Sequence, residues 1–457
     1  MLGIARPHRP RESTGRIPFM KRLGGSAMDV VELSRLQFAL TTSIHWLFVL
    51  LTLGLAPLVA VLHTRAALAG PTGKRELFER QTRFWGQLYV VNYALGIVSG
   101  LVMEFQFGMN WNGLSEFAGN VFGAPLALET MIAFFAESTF LGLWIFGWGR
   151  LHRGLHAALI WLVALTAYAS AYWIMVANGF MQNPVGHEVR DGTAYLTDFG
   201  ALLTNPNTLV ALGHITAAAM VAGGLFLAGV SAYHFARRTA HTDFFRTSLR
   251  LGVVVAALFC YPLYSIGDTQ FWGIAEQQPM KVALLEGGTA ELQAAMEARH
   301  GPGDYVPPEW IGVPLDLMVN LGWVLFFAPL ICLVLLPRDW LVRPRVLAWA
   351  TVALTPLPFV AAVCGWLFRE VGRQPWLVYG ELTVADAASP VPAAAVAASL
   401  VLFVGLLAAL AVTDWVIIAR LAHRGPEGVR LGAAEPLPAE PDDGPVTADL
   451  GHPAGRA

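Results

Sequence analysis

The sequence predicts an all-α, polytopic membrane bundle of about nine transmembrane helices. Three observations carry this. Hydrophobic residues make up 55% of the chain and charged residues only 14%, against roughly 25% charged in soluble proteins. Apolar runs close to the ~20 residues that cross a bilayer recur along its whole length. The short loops between them alternate between rich and poor in Lys and Arg. In hydrocarbon every backbone N–H and C=O must find its partner within the segment, so these runs are helices.

Taken in order, the first run (38–63) is followed by Lys74, Arg75, Arg80 and Arg83. The second (82–105) leads into 106–123, which has no Lys or Arg. Arg150 and Arg153 follow the third run (124–148), and Arg190 is the only basic residue after the fourth, in 179–207. Beyond the fifth run (208–233) come Arg237, Arg238, Arg246 and Arg250. The sixth (248–267) opens the longest loop, 268–310. Arg338, Arg343 and Arg345 follow the seventh (311–336). The eighth is 344–368, and the ninth (394–420) ends in Arg420, Arg424 and Arg430. The positive-inside rule puts the basic set in the cytoplasm, the N-terminus outside and the C-terminus inside. The net charge of -2 says little, because charge is sorted by side. Residues 1–27 hold a basic run (Arg6, Arg9, Arg11, Arg16, Lys21, Arg22), expected to be disordered or to precede a start at Met28. Residues 426–457, rich in Pro, Gly, Ala and acids, are expected to form a disordered cytoplasmic tail. The transmembrane domain is then 28–425.

Cys260, Cys332 and Cys364 lie in or beside apolar runs and form no C-x-x-C-H, C-x-x-C or disulfide pattern. Nucleotide-binding loops are absent. What stands out is a set of polar groups where hydrocarbon is expected. His45 and His214 sit inside apolar runs, and an intramembrane ionisable group is expensive unless something uses it. By the predicted topology His45, His214, Met318, Glu370, Glu129 and Glu104 reach one outer level on six helices. Taken singly, each histidine is as well explained by a core ring bonded to a carbonyl, and Met318 by ordinary packing. Together, a His/Met set suits a six-coordinate electron-transfer haem, and buried carboxylates suit proton transfer. Glu129 and Glu137 stand eight residues apart, about 80° and two turns on a regular helix.

These residues sit within longer patterns. Arg35-Leu36-Gln37-Phe38-Ala39-Leu40-Thr41 leads to His45. Met103-Glu104-Phe105-Gln106-Phe107-Gly108 and Gly123-Ala124-Pro125-Leu126-Ala127-Leu128-Glu129 follow, then Phe134-Phe135-Ala136-Glu137-Ser138. Val176-Ala177-Asn178-Gly179-Phe180-Met181-Gln182-Asn183-Pro184 and Gly372-Arg373-Gln374-Pro375-Trp376 complete the set. In this order, over about 30 to 420, the chain resembles subunit I of the cytochrome bd-type quinol oxidases, in their short quinol-loop branch.

The resemblance implies a low-spin haem b, a high-spin haem b and a haem d, the last replaceable by haem b. It implies His214 and Met318 as axial ligands of the low-spin haem, and His45 and Glu370 as ligands at the high-spin pair, without deciding which serves which. Glu129 and Glu137, with Glu104, match carboxylates of proton transfer. Arg373 and Trp366 match residues near the haem pair, and Arg373 is suited to pair with a propionate. Lys281 and Glu286, in the 268–310 loop, match residues of the quinol site. One position departs: better-known members carry arginine where this chain has Asp316, two residues before Met318. A negative charge there would favour ferric iron.

The expected activity is a quinol:oxygen oxidoreductase of the bacterial cytoplasmic membrane. It oxidises quinol at the outer face and reduces O2 to water with protons from inside, building a proton motive force by charge separation without pumping. Expected partners are a second large subunit, a small single-helix subunit, quinol, O2 and membrane lipids, with no nucleic acid. Two other readings remain at this point: a proton-coupled transporter, and a haem b quinol dehydrogenase without an oxygen site.

Overall fold

The computed structural model describes residues 29–70, 73–239 and 241–432. The 1–27 extension and residues 433–457 of the expected tail lie outside the described residues. Among those described, nine helical stretches are long and apolar enough to cross a membrane, as the sequence predicts.

Helix α1 (Val30–Leu68) is started by Asp29, whose carboxylate accepts the Glu32 N–H at 2.8 Å. That bond satisfies one of the donors a helix start leaves unpaired. α1 begins well before the expected 38, so His45 lies deeper along it than the apolar run alone implied. α2 (Gly73–Asn110) packs back against it. The segment 106–123 is not a loop. α2 runs through it to Asn110, and after a break at Trp111 a further helix, α3 (Asn112–Leu128), begins. A π-helical turn (Glu129–Phe134) joins α3 to α4 (Phe135–Phe146). α5 (Arg153–Gln182) follows, then a hairpin of β1 (His187–Arg190) and β2 (Thr193–Leu196), and the short α6 (Phe199–Leu203). Asn205 caps α7 (Pro206–Arg237) by accepting the Asn207 N–H at 3.0 Å. Pro206 fills the first turn, where its missing N–H costs nothing.

α8 (Thr242–Gln277) extends through 268–277, so the expected loop starts only at Gln278 and carries two helices of its own, α9 (Pro279–Glu286) and α10 (Thr289–His300). α11 (Gly312–Leu335) is the seventh long stretch. The eighth is interrupted at Thr355-Pro356 into α12 (Arg345–Leu354) and α13 (Leu357–Val371), because proline has no N–H to continue the helical ladder. β3 (Trp376–Val378) and β4 (Leu382–Thr383) form a second hairpin, followed by α14 (Val384–Ala387) and α15 (Ala393–Arg424).

The tail boundary expected at 425 also shifts. Residues 425–432 lie against the start of α2: the Gln87 side-chain oxygen accepts the backbone N–H groups of Arg430 and Leu431 (2.6 and 3.2 Å), and Arg83 donates to the Gly432 carbonyl at 2.7 Å. Below, the end of the bundle at which α1 begins is its first end, and the other its second end.

The centre of the bundle is α1 with α2, α7 and α8. Where α1 crosses α7, glycines let the backbones touch. A Cβ on Gly54 would lie 2.3 Å from the Ala219 carbonyl oxygen, and one on Gly223 2.6 Å from that of Gly54. Small residues serve this purpose where helices pack by van der Waals contact in lipid. Gly54→Ala is therefore expected to destabilise the fold by about 1–3 kcal/mol or more, as overpacking does. Gly405→Ala, with nothing within 4 Å of the added carbon, should be silent. Thermal unfolding of both variants in detergent checks the contrast.

Candidate functional site

The first end of the bundle holds a buried cluster of charged and amide side chains. Glu370, in the last turn of α13, is its centre. Its Oε1 accepts from Asn178 Nδ2 (2.7 Å) and Gln182 Nε2 (3.1 Å), and its Oε2 accepts from Arg373 Nη2 (2.9 Å). Arg369 Nε lies 4.0 Å away and donates to Asn178 Oδ1 at 2.7 Å, while its Nη2 donates to Asn207 Oδ1 at 2.6 Å. Arg35, from the first turns of α1, donates to the Gln374 side chain. Asn178 and Gln182 stand one helical turn apart at the end of α5, so both reach the same carboxylate.

Lys281 joins this cluster from α9. It is only 2% exposed, and its Nζ donates to the Arg369 carbonyl at 2.9 Å. Burial, with the Arg369 and Arg373 cations nearby, holds its ammonium well below the ordinary 10.5. Glu286, at the other end of α9, is exposed. The structure thus separates the two expected quinol residues: Lys281 points into the protein and Glu286 to its surface.

The expected metal ligands lie around this cluster. Met318, on α11, touches α13: a Cβ on Gly365 would lie 2.6 Å from its sulfur. His214, on α7, faces Gly267 of α8, where a Cβ would lie 2.9 Å from its ring. His45 Nδ1 is 2.8 Å from Ser99 Oγ, and its ring lies over Gly100, 3.4 Å from a Cβ placed there. Trp366 stacks on Trp46 at 5.1 Å between centroids and 20° between planes, which ties the helix of His45 to that of Glu370. Asp316 is exposed, so its charge is turned away from the packed side of α11.

Whether these residues fit haem is tested by what the protein leaves unsatisfied. Among the described residues, Arg373 Nε and Nη1 and Trp366 Nε1 are buried without a partner. Arg373 and Trp366, with Arg35 and Glu370, line a small cavity with apolar walls from Phe38 and Leu377. Orphaned cationic donors beside an apolar wall suit a flat apolar group bearing carboxylates. Glycines against all three ring or sulfur donors leave room for close approach. A carboxylate has about four acceptor positions, and Glu370 has filled three. The residues fit.

The carboxylates of the expected proton route are placed differently from one another. Glu129 opens the π-helical turn and accepts from Ser170 Oγ of α5 at 2.5 Å. Glu137 is buried, and its Oε1 has no partner among the described residues. The wider turn between them changes the expected 80° offset, because a π turn winds fewer degrees per residue. Glu104 is exposed on α2, within electrostatic reach of Glu129. Sequence reasoning missed Arg35, Asn178, Gln182, Arg369 and Gln374 as members of the cluster. The available signal was polar residues one turn apart at the ends of apolar helices.

Comparison with known proteins follows the same lines. The family model for cytochrome bd terminal oxidase subunit I matches residues 33–302 and 292–426. Cytochrome bd ubiquinol oxidase subunit 1 of Bacillus subtilis (strain 168) is 37% identical over 414 residues, covering 79% of this chain and 87% of that protein. Cytochrome bd-II ubiquinol oxidase subunit 1 of Escherichia coli (strain K12) is 31% identical, covering 88% and 98%. Among solved structures, bd oxidase from Geobacillus thermodenitrificans superposes with a TM-score of 0.74 at 26% identity, covering 87% of this chain and 99% of that one.

The buried lysine has a consequence for stability. A lysine whose folded-state pKa is depressed binds fewer protons folded than unfolded, so stability rises with pH until the unfolded value of 10.5 is passed. Lys281→Met removes that term. The variant's melting temperature, relative to the parent's, is expected to be highest on the acid side and to lose its advantage as pH climbs towards 10.5. A pH series of thermal melts in detergent checks this.

Proposed function

Because the chain belongs to the cytochrome bd terminal oxidase subunit I family, we propose that it is the haem-carrying subunit of a respiratory oxidase that passes electrons from quinol to O2. The observation that carries this reading is that Glu370 lines one cavity with the partnerless donors of Arg373 and Trp366 at one end of the bundle. A proton-coupled transporter accounts for the carboxylates but not for these donors, and family membership excludes it.

In this reading His214 and Met318 would hold a low-spin haem b, and His45 and Glu370 would hold a high-spin haem b and a haem d, whose place a haem b could also take. Bound there, the haems supply one-electron transfer and the reduction of oxygen. The protein does the rest. Ser99 orients the His45 ring through Nδ1, leaving Nε2 for metal. Asn178, Gln182 and Arg373 hold the Glu370 carboxyl fixed in direction. The free nitrogens of Arg373 receive propionate carboxylates, and the Trp46–Trp366 stack walls the site.

Quinol is oxidised at the first end, which the positive-inside rule puts outside. Glu286, exposed on α9, accepts its proton, and Lys281 acts from behind by fixing α9 to the Arg369 carbonyl. Protons for water come from the cytoplasm by way of Glu137 and then Glu129, which Ser170 holds in place. Uptake inside and release outside separate charge without a pump. Glu104, within electrostatic reach of Glu129, belongs with the carboxylates of proton transfer, and a second large subunit, a small single-helix subunit, quinol, O2 and lipid make up the set of partners. The assembly resides in the bacterial cytoplasmic membrane.

Two outcomes test the assignments. Met318→Leu is expected to abolish the six-coordinate low-spin b spectrum while oxygen still binds at the high-spin site; an unaltered low-spin spectrum would remove Met318 from the iron. Glu286→Ala is expected to slow steady-state quinol oxidation, read as oxygen consumption, with every haem band intact. A normal rate would take α9 out of the quinol site.

A further inference from the structure

Buried polar atoms without partners gather at a second place, on the second-end side of His45. Tyr89 and Tyr93 stand one turn apart on α2, stacked at 5.8 Å between ring centroids. Tyr89 is fully buried and Tyr93 7% exposed, and neither hydroxyl has a partner among the described residues. The same holds for Glu137 Oε1 and Ser138 Oγ on α4. A buried hydroxyl without a bond is costly, and such groups are normally served by internal water.

The register of the two helices shows that these atoms belong together. α2 and α4 run in opposite directions and are pinned where Gly86 meets Trp144: a Cβ on Gly86 would lie 2.5 Å from the indole ring. Tyr93 lies seven residues beyond Gly86 and Glu137 seven before Trp144, so both are about 10 Å from that point, at one level. Tyr89 lies between. Glu137 is within electrostatic reach of both tyrosines.

At the level of Trp144 sits a histidine pair. His63 and His156 are 4.6 Å apart between ring centroids. The indole N–H of Trp144 donates to His63 Nδ1 at 3.0 Å, and His156 Nε2 lies 2.7 Å from the Trp144 carbonyl. An indole can only donate and a carbonyl only accept, so the proton of neutral His63 is on Nε2 and that of His156 on Nε2. Each ring keeps one nitrogen for exchange. Trp148 stacks on His63 at 5.2 Å, Arg83 covers Trp148 at 4.3 Å, and the 428–432 segment lies over them. This is the second end, the cytoplasmic one in the proposed orientation.

We propose that Tyr89 and Tyr93, with Ser138 and the water their hydroxyls bind, form a proton-conducting strip from the His63–His156 pair to Glu137. The inference rests on the reading of Glu137 as a proton relay and supplies its inner arm. Each hydroxyl gives up one proton as it takes another, so no charge rests on the strip between turnovers. The strip starts where protons enter and ends one π-helical turn from Glu129.

The test is single-turnover oxidation of the reduced whole oxidase in vesicles, with a membrane-potential probe, for Tyr89→Phe, Tyr93→Phe, the double variant, His63→Phe and Glu137→Leu. The tyrosine changes remove only unbonded hydroxyls, so folding and haem spectra should stand. The double variant and His63→Phe are expected to slow the proton-coupled charge-separation phase several-fold. The preceding electron-transfer phase should not change, whereas loosened packing would move both. A normal charge-separation phase in the double variant, with Glu137→Leu slow, would overturn the strip and leave the Glu137 reading standing. A normal phase in Glu137→Leu as well would remove both. Normal kinetics in His63→Phe alone would overturn the entrance.

Discussion

The structure depends on satisfying one carboxylate, Glu370, out of water. An isolated buried carboxylate costs several kcal/mol even after relaxation. Here the cost is met by three direct donors and two more cations. These groups come from four places: Asn178 and Gln182 from the end of α5, Arg373 from the turn after α13, Arg369 from α13 itself, Lys281 from α9. Satisfying Glu370 therefore fixes the ends of α5 and α13, the start of α7 through Asn207, and the docking of α9. Once the last turn of α13 is fixed, Gly365 and Trp366 are fixed with it, and these set where Met318 and Trp46 pack. The cluster carries more positive than negative charge, which leaves it ready for added anions such as propionates.

A second principle is separation along the helices. At the first end Glu370, Arg369 and Lys281 are bonded by neighbouring side chains and carbonyls, while the Arg373 and Trp366 donors beside the cavity have no partner among the described residues. The strip towards the second end is neutral and under-bonded. The first arrangement holds rigid, charged cofactors, and the second suits mobile protons and water. Apolar packing and glycine crossings such as that of Gly54 with Gly223 hold the helices together between them.

Much of this was legible in the sequence. Composition and apolar runs gave nine helices because hydrocarbon permits little else, and the polar residues inside those runs marked the first-end site. Helix ends were less legible. α1, α2 and α8 extend well past their apolar runs, because a helix may continue into water once its core turns are fixed, and hydropathy is blind to that. The π turn between Glu129 and Glu137 was invisible, since its residues are as apolar as their neighbours. The 268–310 loop read as one solvated unit. In the structure its Lys281 is buried and Glu286 exposed, because five residues on a helix turn them to different faces. The Tyr89–Tyr93 pair gave no signal, since tyrosines in a membrane helix read as ordinary aromatic packing.

The central claim is that one end of this bundle holds three haems, two of them arranged for oxygen. Its most direct test is the reduced-minus-oxidised visible spectrum of the purified oxidase, with and without carbon monoxide. The account predicts a low-spin b signal that carbon monoxide leaves alone, and high-spin signals that it shifts, with a red-shifted chlorin band where haem d is bound. A spectrum with low-spin b bands only, or with no haem bands, would contradict it.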